Sequence, residues 1–292
     1  MSEVQRATVA LEGLSVADAF GEQLLHCGPV ARQSALDERT APAAARWAWT
    51  DDTAMAISIV EQLREAGAID AAALAAAFAR RYLAEPARGY GAGAHRVLAE
   101  IAAGTPHDVA AAALFDGQGS RGNGAAMRVA PIGAYFAGDL DAAIEHARRS
   151  AAPTHAHAEG AAGAIAIAIA AAAVFGGERH PRALLSTIVE RTPPSATREG
   201  VRRSLAMLGA EPLTVAAELG NGSLVLASDT VPFAAWCAAT HLADYPGALW
   251  ACATVGGDID TTCAIVGGIV VGAVGIAGIP APWRAAREPL PL

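Results

Sequence analysis

Lysine is absent from this chain: all 21 basic residues are arginines. That excludes Schiff-base chemistry on a lysine amine and the phosphate-binding lysine of a P-loop or kinase site. Aromatic residues make up only 5% of the 292 positions, and the four cysteines (Cys27, Cys237, Cys252, Cys263) include no CxxC pair. No disulfide framework is implied, and no charged-then-apolar leader opens the chain, so a reduced, cytoplasmic setting is expected. Val, Ile and Thr never gather into the alternating runs that a sheet needs. The net charge of −8 argues against a nucleic-acid backbone as the main partner.

What is present is alanine, which supplies much of the 53% hydrophobic content. Alanine has the best helix propensity and takes little space, so close-packed helices follow. Helical patterns run over 4–20, 53–66, 71–83, 94–103, 110–114, 139–151, 158–175, 181–190, 198–208, 230–240, 245–253 and 261–274. The expectation is an all-α protein, one compact domain over residues 1–292 with about a dozen helices, monomeric. Asp70, Asp139 and either Asp229 or Thr230 are the expected caps of the helices that follow them, the last one ahead of Pro232. Pro193-Pro194-Ser195 is read as an inter-helix loop. Segments 161–175 and 264–279 are apolar, but each falls short of the roughly 18 residues of a membrane span and is read as a core helix.

Two acidic clusters lie near opposite ends of the chain: Thr50-Asp51-Asp52-Thr53 and Gly256-Gly257-Asp258-Ile259-Asp260-Thr261-Thr262. Adjacent carboxylates repel unless a cation neutralises them. Oxygen-only donors suit magnesium, manganese or calcium better than zinc or copper. Thr50 is placed at an N-cap with Asp51 and Asp52 in the first turn, and Asp258 and Asp260 just before a helix beginning at Thr261. Plain capping is the competing explanation for either cluster alone. Two clusters together point to one hard-cation site built from both ends of the fold.

Gly117-Gln118-Gly119-Ser120-Arg121-Gly122 matches GxGxxG by letter, but an alanine-rich segment precedes it where a dinucleotide fold needs a strand. It reads better as a loop whose backbone N–H groups approach an anion, with Ser120 and Asn123 adding side-chain donors. Gly89-Tyr90-Gly91-Ala92-Gly93 is a second such loop, and a flexible turn is the alternative for each. In Thr154-His155-Ala156-His157 the two imidazoles point to different sides, which suits one polar donor better than a zinc pair.

Taken in order, Trp49 to Ala56, Arg88 to Gly93, Phe115 to Ser120, Gly122 to Val129, Thr154-His155 and Gly256 to Thr261 resemble the ADP-ribosylglycohydrolase family. The resemblance implies an all-α orthogonal bundle holding two Mg2+ ions, with Mn2+ as a substitute. Their ligands would be Thr50, Asp51, Asp52, Asp258, Asp260 and Thr261. Gly91, Gly119, Ser120, Gly122 and Asn123 would hold ADP-ribose, Phe115 would line the adenine side and His155 would bond the substrate. Asp51, Asp52 and Asp260 would act in hydrolysis at C1″ of the ribose. The GYGAG and GNGAAMRV wording is similar to the branch acting on serine-linked, poly- and O-acetyl-ADP-ribose more than to the arginine-directed branch.

Two departures stand out. Arg121 replaces the family's aromatic residue at the adenine subsite. The family's glutamate lies four residues after a GDxxG-type motif, here Ala17-Asp18-Ala19-Phe20-Gly21, and that position is Leu25, with Glu22 the nearby carboxylate. Loss of that glutamate would also suit a non-catalytic ADP-ribose-binding module. An oxidoreductase built on the GxGxxG match is the remaining alternative, and it requires a parallel sheet.

Overall fold

The computed structural model describes residues 1–291. Among them no strand forms; Trp47 with Arg287 and Gly122 with Leu226 make isolated bridges only. The protein is all-α, and the sheet that a dinucleotide-dependent oxidoreductase needs is missing from the described residues.

Several helices start where polar side chains cap them. Asp70 accepts from Ala73 N, Asp139 from Ala142 N and Ser195 from Arg198 N, and Thr50 caps the Asp51–Ala66 helix. The expected cap at Asp229 or Thr230 does not form. That helix runs from Ala227 to Thr240, and Leu226 precedes it without a side-chain cap. Asp229 instead accepts from Leu224 N at 2.8 Å. Pro232 lies inside this helix and packs against Gly200, where a Cβ would lie 2.5 Å from the proline ring. The last acidic helix also begins earlier than expected, at Ile259, which puts Asp260 in its first turn and Asp258 at its N-cap.

Further short helices, among them Pro29–Glu38, Ala130–Tyr135, Pro212–Leu219 and Ala281–Ala286, carry proline in their first turn. Proline is compatible with that position, but in a short segment it hides the helical period.

The N-terminal helix, Glu3–His26, packs along the Ile259–Val274 helix more extensively than any other pair. Glycines make the approach possible. A Cβ on Gly13 would sit 2.5 Å from the Gly267 carbonyl oxygen, and one on Gly21 would sit 2.5 Å from Asp260 Cα. The Ala158–Phe175 helix, with mean hydropathy 1.9, is 72% buried in the fold and serves as a core helix. One continuous hydrophobic cluster takes residues from Ala7 through to Trp283. The first turns of the Asp51–Ala66 and Ile259–Val274 helices meet beside the N-terminal helix, at the floor of a cleft.

Candidate active site

The cleft encloses about 740 Å³. Asp51, Asp52, Asp258, Asp260 and Thr261 line one end of it, and Gly91, Phe115, Gly119, Ser120, Arg121, Gly122, Asn123 and His155 line the rest. The two acidic segments are directly joined, with Thr261 Oγ1 3.5 Å from Asp52 Oδ2 across 209 positions of sequence. Thr50 lies buried behind them, its Oγ1 2.9 Å from Asp18 Oδ1 and 3.1 Å from Asp52 Oδ2. Its single hydroxyl proton serves one carboxylate at a time.

Asp18 is the residue that sequence reasoning left out of the site. Its carboxylate is fully buried and accepts from Thr50 N at 2.9 Å, Thr53 N at 3.2 Å and Thr53 Oγ1 at 2.5 Å. Oxygens of Asp18, Asp52 and Asp260 all come within 4.8 Å of one another. The signal available was an aspartate three residues before the small Gly21, on the same helix face as Glu22. Glu22 lies one turn further on, half-buried, and Leu25 turns into packing against the core.

The donor set fits a hard cation. Asp52 Oδ1 and Asp260 Oδ1 are buried with no hydrogen-bond donor. Buried acceptors left unpaired in a cluster of like charges are costly unless a cation satisfies them. Burial pushes the Asp18 carboxyl up to about 7 against the lowering pull of the Thr53 hydroxyl, and repulsion from Asp260 adds to the rise. Burial followed by repulsion from Asp260 takes Asp258 to about 7 as well. Asp51 and Asp52 are driven well above the carboxylate range by burial and then by the charges of Asp18 and Asp260. Glu22 is raised by burial and by Asp260, with His26 opposing.

These shifts set a pH dependence. A carboxyl raised in the folded state contributes stability that is present below about pH 4 and lost as pH rises through about 7. His155 opposes this: burial and the charge of Arg128 lower it to about 3 from 6.5, so its contribution is lost as pH falls below 6.5. The five raised carboxyls outweigh the lowered His155 imidazole. The chelated protein is expected to melt on the order of 5 °C higher at pH 5 than at pH 8, and saturating Mg2+ at pH 8 should close the gap. Thermal scans in EDTA that show the reverse order would contradict the crowding of charge described here.

The glycine loops form the cleft walls. Gly119 has φ +75°, and a Cβ there would lie 2.7 Å from His157 N, so only glycine fits. Ser120 Oγ accepts from Gly122 N at 3.1 Å. Asn123 departs from its expected use as a loop donor: its Nδ2 donates to Asp258 Oδ2 at 2.6 Å and to Thr230 Oγ1 at 3.0 Å. Both amide hydrogens are therefore committed to orienting the acidic floor. Phe115 and Asp116 adopt left-handed backbone, φ 52° and 57°, a strain of about 1–3 kcal/mol each. It leaves the Phe115 ring exposed at the cleft rim and against Gly93. Arg121 is exposed and donates to Gln118 Oε1 at 3.2 Å. The two histidines separate: His155 lies buried in the cleft wall, and His157 caps the Ala158–Phe175 helix by accepting from Glu159 N.

The ADP-ribosylglycohydrolase family model matches residues 2–289. Human ADP-ribosylhydrolase ARH3 is 32% identical over 273 residues, covering 82% of this chain and 74% of the human protein. The zebrafish protein of the same name is 28% identical, with 82% and 73% covered. A solved structure described as an ADP-ribosylglycohydrolase-related protein complex superposes with a TM-score of 0.66 at 24% identity, covering 98% of this chain and 93% of the other, and supports the fold. The chain is an enzyme of the hydrolase class and belongs to the ADP-ribosylglycohydrolase family.

Proposed function

We propose that this enzyme hydrolyses the glycosidic bond at C1″ of ADP-ribose with two Mg2+ ions, Mn2+ substituting, and prefers O-linked acceptors over arginine. The observation that carries the reading is the meeting of Asp18, Asp52 and Asp260 within 4.8 Å at the floor of a cleft walled by glycine loops. Thr50, Asp51, Asp52, Asp258, Asp260 and Thr261 would hold the ions. Bound there, the metal would neutralise the carboxylates and act as a Lewis acid toward the ribose oxygens. The O-linked preference rests on the GYGAG and GNGAAMRV segments. A cytoplasmic setting is part of the same proposal.

The chain's own residues divide the work. The backbone N–H of Ser120 holds the diphosphate in the loop shaped by Gly119 and Gly122, whose own N–H groups donate to the Leu114 carbonyl and to Ser120 Oγ. Gly91 allows close approach of the second loop, and Phe115 and Arg121 take the adenine. Arg121 does so through the flat face of its guanidinium. Asp51, Asp52 and Asp260 orient a water against C1″ and an aspartate among them accepts its proton, while Glu22, outside the cleft lining and 3.5 Å from His26, acts on Asp260 through its charge. As the bond from C1″ to the acceptor oxygen breaks, a new bond to the water oxygen forms through an oxocarbenium-like state. The proton held by the carboxylate returns to the departing oxygen.

A panel of serine-, arginine-, O-acetyl- and poly-ADP-ribose, with and without EDTA, tests the reading. Release from the O-linked members alone, lost in EDTA and restored by Mg2+ or Mn2+, is expected. EDTA-insensitive release would remove the metals, and release from arginine alone would reverse the preference. Calorimetry with ADP-ribose separates the enzyme from a binding module, since binding without product from any linkage would leave only the module.

A further inference from the structure

Arg128 is a buried cation with no carboxylate in direct contact, the charge of Asp51 acting on it from a distance. It is 1% exposed, and among the described residues no carboxylate lies within salt-bridge distance of it. Its Nη2 donates to the Ser150 carbonyl at 2.7 Å and to Thr154 Oγ1 at 2.9 Å. Nη1 lies 3.4 Å from Met55 Sδ, the guanidinium carbon sits 4.5 Å over the Phe78 ring, and Nε has no partner. Burying an unpaired charge is expensive, so the arrangement calls for a return.

We infer that Arg128 and Thr154 are positioning residues that fix His155 as its neutral Nε2–H tautomer, so that the imidazole presents one directed donor to the ligand. The ligand's identity as ADP-ribose rests on the function proposed above. The direction of each bond follows from chemistry. A guanidinium has no acceptor, so Thr154 Oγ1 accepts from Arg128. The single hydroxyl proton of Thr154 then has one partner, His155 Nδ1 at 2.7 Å, since Thr154 Oγ1 makes no other hydrogen bond among the described residues. Nδ1 is thereby an acceptor, and the ring proton resides on Nε2.

The Nε2 edge faces the substrate loop: Cβ positions built on Gly122 and Gly124 lie 3.4 and 3.5 Å from it. The adjoining Cδ2 edge of the ring is seated against Gly160, where a Cβ would come within 2.9 Å of Cδ2 and 3.1 Å of the His155 Cβ. Burial and the Arg128 charge both disfavour the imidazolium. Arg128 thus supplies positive charge from behind, while His155 remains a neutral donor with fixed geometry.

The test uses the full chain labelled with 15N-histidine at pH 7, the His155 signals being assigned by their loss in His155→Gln. Long-range 1H–15N spectra should show an unprotonated Nδ1 and a protonated Nε2 in the absence of any ligand. Thr154→Val, which keeps shape and removes the hydroxyl, should lose that pattern. It should also weaken ADP-ribose binding about tenfold and raise KM more than it lowers kcat. Thr154→Ser should restore the tautomer and bind within about twofold of wild type. A wild-type spectrum showing Nδ1–H or imidazolium would overturn the inference, as would unchanged ADP-ribose affinity in Thr154→Val. Because the tautomer is read without ligand, failure of the wild type to bind ADP-ribose would instead sink the functional reading.

Discussion

Asp260→Asn and Asp52→Ala are each expected to abolish ADP-ribose release, a loss of about 10³-fold or more, while raising the melting temperature of the chelated protein. The two effects have one cause. Asp52 is buried with one oxygen unpaired, and its carboxyl is driven up by burial and by the charges of Asp18 and Asp260. Asp260 likewise has a buried oxygen without a donor and sits against Asp18, Asp51, Asp52 and Asp258. Removing one negative charge relieves repulsion that persists until a cation is bound. The site is therefore stabilised by the change that disables it, the trade-off expected when function stores an unfavourable arrangement. A product assay on an ADP-ribosylated peptide and thermal scans in EDTA measure the two effects. Wild-type-like hydrolysis by both variants would remove the acidic cluster from the chemistry. A fall in melting temperature would mean that the cluster holds the fold together without a cation.

Gly21→Val should have a large effect although it leaves every polar group in place. The new Cβ would lie 2.5 Å from Asp260 Cα, 2.8 Å from Asp260 N and 2.9 Å from the Ile259 carbonyl oxygen. All three are backbone atoms at the start of a buried helix, so no side chain can rotate away. Two helices would have to part, at a cost of about 3 kcal/mol, and Asp260 would move away from Asp18 and Asp52. The expected result is a lowered urea midpoint, loss of the stabilisation by Mg2+ that the proposed site predicts, and loss of turnover. Gly21→Ala should show the same changes in weaker form. Wild-type stability and activity in the valine variant would show that the two helices need not be held at this separation.

Much of the candidate site was legible before folding was considered. The paired acids were visible as like charges too close to be stable alone, and Thr50 as a cap in front of two of them. Asp70 and Asp139 announced their helices because a cap is a local event, settled by a side chain and an N–H three residues on. Asp18 stayed hidden because its partners, Thr50 and Thr53, are 32 and 35 positions away. Arg128 appeared only as one residue of the Gly122 to Val129 segment, and its burial depends on Phe78 and the Ser150 to Thr154 stretch arriving from two other parts of the chain. Asn123 read as a loop donor until Asp258 and Thr230 took both of its amide hydrogens. Pro232 looked like a helix start because nothing nearby in the chain reveals the space that Gly200 leaves for it.

Helical content, the absence of lysine chemistry and the oxygen-only character of the acidic clusters are properties of short windows, and the sequence by itself determined them. Periodicity, propensity and charge repulsion act over one or two turns and need no partner. Tertiary structure alone decided which carboxylates meet, which of their oxygens stay unpaired, and which way the proton on His155 is turned. Those outcomes depend on how closely two helix backbones approach, and glycines at positions 13, 21 and 267 permit that approach only when both helices are in place.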